Sequence, residues 1–166
     1  MLREDEVIAA IRQRLDDYKS DDREIENQIE RLERLNAKMK DVGAQQITDM
    51  PRSPSPVRDR MADYISQKDY LTETLNRLII KHKEDRLEIQ RVLGHLKNPD
   101  ERAVIQMRYI DIAPWSEVID MMFGGAKDYV GKEDTYQRKV YAIHKNALAG
   151  MATYIISTND KFADIA

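Results

Sequence analysis

From Ile8 to Met39 an apolar stripe recurs at alternating steps of three and four residues. Its positions are Ile8, Ile11, Leu15, Tyr18, Asp22, Ile25, Ile29, Leu32, Asn36 and Met39, of which eight are apolar. The residues between them are almost all charged or amidic. Only an α-helix puts such positions on one side, and two apolar residues per seven make a narrow seam, not the broad face of a globular helix. Asp22 and Asn36 interrupt the seam at a-type positions, where a polar residue costs stability but fixes register and partner number.

The same spacing returns further on. The segment KDVGAQQITDMPRSPSPV holds three prolines within six residues and a glycine, so no helix crosses it. It reads as a stiff connector. A second long helix is predicted from about Arg58 to Leu96. Its stripe is Met61, Tyr64, Lys68, Leu71, Leu75, Leu78, His82, Asp85, Ile89, Val92 and Leu96. Two helices of about 50 Å, at 1.5 Å per residue, suit an antiparallel hairpin. Each seam is narrow enough to leave room for a second copy of the chain. Ile11, Leu15, Ile25, Ile29, Leu32 and Asn36 are the residues expected to mediate that pairing, and a homodimer is the expected state.

The rest of the composition agrees with long exposed helices. Charged residues make up 34% of the chain, with only 6 glycines and 5 prolines. There is no cysteine, which excludes disulfides, thiolate zinc sites and thiol nucleophiles. The first residues, MLREDEVIAA, are charged, and no apolar run approaches the roughly 20 residues of a membrane span. A cytoplasmic protein without membrane contact is expected. Net charge is −3, unevenly spread. Residues 1–50 carry 9 basic and 13 acidic side chains, and residues 97–166 carry 9 and 10. A nucleic-acid surface would therefore be a local patch. Catalysis is not expected. Asp16-Asp17 and Asp21-Asp22 lie on a solvated helix face, where sequence neighbours do not converge. His82, His95 and His144 lack metal-binding spacing, and FGGAK lacks the spacing of a phosphate loop. No cofactor or metal is called for.

The last third is organised differently. Asn98-Pro99 opens a helix, with proline in its first turn and Asp100 and Glu101 at its positive end. Ile110–Ala113 breaks the period. Pro114 or Trp115 starts a short helix with Val118, Ile119 and Met122 inside. FGGAKDYVGKED has no clear period. A final helix is predicted over about 135–151, capped by Asp134, with Val140, Ile143, Ala147, Leu148 and Met151 packed inward. Gln137, Arg138, Tyr141 and Lys145 then share an outward side. Arginine and glutamine make bidentate contacts to base edges, and lysine suits phosphates. This is the layout of a helix-turn-helix.

The stretch NPDERAVIQMRYIDIAPWSEVIDMM followed by VYAIHKNAL resembles region 4 of the sigma-70 class. It resembles more closely the phage late-gene transcriptional activators of the RinA and ArpU type. The features that carry the resemblance are Arg108-Tyr109, Trp115 with Glu117, and the series Val140, Ile143, His144, Ala147 and Leu148. A coiled N-terminal half and the QITDMPRSPSP segment extend it loosely. Two features depart from the pattern: the connection from Phe123 to Glu133 is long, and the recognition helix carries little arginine.

The resemblance implies base reading by Gln137, Arg138, Tyr141 and Lys145. It implies backbone contacts by Lys139, Lys127 and Lys132, and a phosphate at the helix start near Thr135 or Tyr136. Arg108, Tyr109 and Trp115, with Val140, Ile143 and Leu148, would hold the helices together. The expected architecture is all-α: a helical hairpin or coiled coil over 1–96 with the linker at 41–57, a helix-turn-helix domain over 97–151, and a tail over 152–166. The expected function is a DNA-binding transcriptional regulator of phage or prophage genes, an activator by the resemblance. Its partners would be double-stranded DNA and bacterial RNA polymerase, in the host cytoplasm. Two other readings compete. One is a coiled-coil adaptor that binds polymerase or another protein without reading DNA. The other is a small-terminase-like DNA recognition subunit, in which the DNA-binding unit is usually N-terminal.

Overall fold

The structure, a computed structural model, describes residues 3–44 and 56–163. The described residues are all-α. Five helices follow in order: α1 (Glu4–Ala44), α2 (Pro56–Leu93), α3 (Pro99–Ile105), α4 (Trp115–Phe123) and α5 (Glu133–Thr158). A wider π turn, Gln106–Ile110, continues α3, and a 3-10 turn, Lys161–Ala163, follows α5. Most of the expected linker, 45–55, lies outside the described residues. No helix among those described is long and apolar enough to cross a membrane. No group of histidine and carboxylate side chains among them could hold a metal ion.

The chain divides into two compact units, one formed by Met1–Ser20 with Glu84–Ala166 and the other by Asp21–Lys83. The division cuts across both long helices instead of falling between residues 96 and 97.

In the unit Asp21–Lys83 the two stripes meet. Leu35, Val42, Leu71 and Leu75 are buried, with Ile25, Leu32, Met39, Met61, Tyr64 and Leu78 half-buried. Lys81 Nζ lies 2.8 Å from an Asp21 carboxylate oxygen, and His82 Nε2 lies 3.1 Å from Asp22 Oδ1. Chain reach then sets the direction of packing. Parallel helices in that register would put Ala44 and Pro56 about 70 Å apart at 1.5 Å per residue. The link 45–55 spans at most about 40 Å at roughly 3.6 Å per residue. The helices are therefore antiparallel here. Asp22 interrupts the apolar stripe because it faces His82, a polar contact that suits one register of the two helices and not its neighbours.

The other unit has two apolar clusters. In the first, Val7, Ile11, Leu15 and Tyr18 of α1 pack with Ile89, Val92, Leu93 and Leu96. Ile105, Tyr109 and Ile110, then Ala147, Leu148, Met151, Ala152 and Ile155 of α5, complete it with Phe162. Ile11 and Leu15 are 0% exposed. These two residues, expected to face a second copy, are thus enclosed by their own chain, because α3, α5 and the C-terminal turn cover the seam. Ile25, Leu32 and Asn36 are half-buried, and Ile29 is 39% exposed.

The expected tail is also corrected. α5 runs on to Thr158, so Ala152 and Ile155 belong to the core. Asn159 ends the helix in the left-handed conformation, φ 50°, a conformation asparagine tolerates. The chain then turns back. Asp160 takes the two guanidinium nitrogens of Arg91 at 2.8 and 3.0 Å and accepts the amide of Phe162 at 2.9 Å. Phe162 is 1% exposed, with the Arg14 guanidinium 4.3 Å above its ring. Gly150 permits the close approach of α5: a Cβ there would meet Leu96 Cδ2 at 2.8 Å.

Candidate nucleic-acid interface

The second cluster builds the platform on which the outward face of α5 stands. Val104, Met107, Ala113, Val118, Ile119, Tyr136 and Val140 form it, with Trp115, Phe123 and Ile143 at its edge. α3 starts as its sequence dictates. Asn98 caps it through a side-chain oxygen 2.9 Å from the amide of Asp100, and Pro99 follows. Its far end widens, with the amide of Asp111 bonding back five residues to the Gln106 carbonyl at 3.0 Å. Ile112 then takes φ 58°, a left-handed conformation that β-branched residues rarely adopt. This is the physical content of the broken period at Ile110–Ala113.

The turn is held by specific contacts. Arg108 donates to the Ala113 carbonyl at 3.1 Å, and its guanidinium sits 4.8 Å above the Trp115 ring. Pro114, in extended conformation, precedes α4, which begins at Trp115. The Trp115 ring meets His144 edge-on at 5.0 Å and Tyr141 edge-on at 5.1 Å. His144 is buried, with Nε2 2.9 Å from the Tyr109 hydroxyl. Burial, helped by the charges of Arg12 and Arg108, lowers the His144 pKa to about 4. The imidazole is therefore neutral near pH 7 and serves packing. Burial likewise raises the Tyr109 phenol.

α5 turns Tyr136, Val140, His144, Ala147, Leu148 and Met151 inward. Gln137, Arg138, Lys139, Tyr141, Ala142 and Lys145 are exposed on the other side. Gln137 Nε2 donates to the Tyr141 hydroxyl at 3.0 Å, so these two expected base readers are joined. Tyr141, 41% exposed, also rests on Trp115. A chain of contacts thus runs from Arg108 through Trp115 to Tyr141 and Gln137. The Lys139 ammonium stands 4.8 Å from the Tyr136 ring centre.

The start of α5 differs from expectation. Lys132, not Asp134, occupies the cap position, and no side chain caps it. Glu133 instead accepts the Gly131 amide at 3.0 Å; its own backbone amide first, and that of Gly131 second, hold its carboxyl below the usual range. Gly131 needs its freedom here, because φ is 92°. Glu133 and Asp134 both sit in the first turn and complement the positive helix end. Thr135 is exposed beside them, and Tyr136, the other residue expected near a phosphate, is buried.

The connection Gly124–Lys132 is a series of tight turns, with amides of Ala126, Tyr129 and Lys132 each bonding three residues back. The Tyr136 hydroxyl donates to Asp128, and Lys132 Nζ lies 3.1 Å from the same carboxylate. Those two partners hold the Asp128 carboxyl below its ordinary pKa, the tyrosine contributing most. Asp128 is the anchor that reading the sequence missed; its spacing of eight residues from Tyr136 gave no signal. Lys127 is exposed, whereas the charge of Lys132 is partly met by Asp128.

Residues 57–142 match the family described as "Protein of unknown function (DUF1492)". The match covers more than half of the 166 residues. The chain belongs to this family. The DUF1492 match takes in α2, α3, α4 and the first part of α5. It therefore includes Arg108, Tyr109, Trp115, Gln137, Arg138, Lys139 and Tyr141, and stops short of His144 and Lys145. No curated protein and no solved structure matches the chain significantly.

Proposed function

We propose that this DUF1492 chain is a sequence-specific DNA-binding regulator of phage or prophage transcription, an activator that also touches the host's RNA polymerase. In this reading α4 supports and α5 enters the major groove. Gln137, Arg138, Tyr141 and Lys145 meet base edges, and Lys139, Lys127, Lys132 and Thr135 meet the backbone. The observation that carries the reading is the two-sided character of α5. One side is locked into the core by His144, Val140 and Leu148. The other presents an exposed row of amide, guanidinium, phenol and ammonium groups.

Few positive charges lie on that row, so one copy supplies limited phosphate attraction. Two copies bound at two half-sites add their energies, and a paired chain is part of the proposal. A second reading, an adaptor that reaches promoters only through polymerase, draws on Met121 and Val130, which are 64% and 88% exposed beside the same helices. Selection of bound duplexes from a random pool, with the full chain at near-physiological salt, separates the two. Enrichment of a two-fold motif is the expected result. A folded protein that enriches no sequence would favour the adaptor.

A further inference from the structure

Helix α2 has a second stripe, distinct from the one that packs inside the chain. Ile65, Asp69, Thr72, Asn76, Ile80 and Lys83, all in the unit Asp21–Lys83, follow one another at steps of four, three, four, four and three. Every one of them is exposed, with Ile65 at 47% and Ile80 at 59%. Steps of three and four keep a row on one side of a helix, as in a coiled-coil seam. The buried residues Leu71 and Leu75 lie on a different side of the same helix. Neither Asp69 nor Lys83 joins an ion pair among the described residues.

The row is self-complementary in one orientation only. When a copy is laid antiparallel with Asn76 against Asn76, Asp69 opposes Lys83 of the second copy, twice by symmetry. Thr72 opposes Ile80. A parallel copy in register would set Asp69 against Asp69 and Lys83 against Lys83, which repel. We propose that this face of α2 binds a second copy of the chain, antiparallel and centred on Asn76. The two-fold symmetry makes the contact closed, so it stops at a dimer. It replaces Ile11 and Leu15, which the chain covers itself, as the pairing surface. The inference deepens the paired-chain part of the reading above and rests on it only for the number of copies. Its test contains no DNA, so its failure and a failure of DNA reading are told apart.

The chain has no cysteine, so a single introduced thiol reports its own neighbour. Under mild oxidation of the full-length protein, Asn76→Cys is expected to give a disulfide-linked dimer, and Ile65→Cys alone is not. Linking of both, or of neither, would overturn the arrangement. Sedimentation gives an independent reading. The unmodified protein is expected to run as a dimer, and Ile80→Glu as a monomer with unchanged helical circular dichroism. Lys83→Glu should weaken association about tenfold, and adding Asp69→Lys should restore it to within about threefold, the range expected of two surface charge pairs. Dimers that persist in Ile80→Glu, or a charge swap that gives no rescue, would contradict the proposal.

Discussion

The hydroxyl of Tyr109 and Nε2 of His144 lie 2.9 Å apart, and the contact is buried. It joins the widened end of α3 to the middle of α5, directly behind Trp115. The outward row of α5 is therefore oriented by a polar contact as well as by apolar packing. Removing one partner leaves the other buried without a hydrogen bond, at a cost of about 1–3 kcal/mol. Tyr109→Phe should lower unfolding stability by that amount in urea. A loss below about 0.5 kcal/mol would mean that the contact does not hold the helices.

The same histidine makes stability pH-dependent. Its folded pKa, about 4, lies below the unfolded value of 6.5. Between those values the unfolded chain takes up a proton that the folded chain refuses. The histidine therefore lowers stability as pH falls from 6.5 towards 4, and has no such effect above 6.5. At 1.36 kcal/mol per unit, the step from pH 7 to pH 5 amounts to about 2 kcal/mol. His144→Gln, which keeps a polar group beside Tyr109, should lose this part of the pH dependence. Identical slopes for the two proteins in urea unfolding at pH 7 and 5 would rule it out.

Phe162 closes the core from beyond the last helix, where the sequence reads as a tail. Phe162→Ala should cost about 3–5 kcal/mol, as for other fully buried aromatics. Lys161→Ala, one residue away and exposed, should change stability by less than about 0.5 kcal/mol. Chemical denaturation of both variants checks the contrast.

That contrast also marks what a sequence discloses. Periodicity locates the helices well: the stripe from Ile8 to Met39 lies within Glu4–Ala44, and the helix expected from about Arg58 to Leu96 is Pro56–Leu93. Asn98-Pro99 announced its helix start because capping is local chemistry. Periodicity identifies a face, however, and not what covers it. Ile11 and Leu15 carry the same signal as Ile29, yet two are enclosed and one is exposed. The extension of α5 was legible in principle, since Ala152 and Ile155 continue the spacing of Leu148 and Met151. The left-handed Ile112 and the Asp128–Tyr136 contact were not, because both arise from tertiary packing that no short motif encodes. For the candidate interface, the split of α5 into an inward and an outward side was readable from residue types. The contacts of Trp115 with Tyr141 and His144 needed coordinates.

Lys127 and Arg138 offer a contrast within the proposed interface. Lys127→Ala should weaken binding to all duplexes alike and reduce the salt slope by about one, as expected of a phosphate contact. Titrations at several salt concentrations measure that slope directly; an unchanged slope would remove Lys127 from the interface.

The most direct measurement is the affinity of Arg138→Ala for a selected duplex and for a scrambled one of equal length, at one salt concentration. If α5 reads bases, the variant loses about 1–3 kcal/mol on the selected duplex and little on the scrambled one. Equal losses on both would contradict base reading by α5.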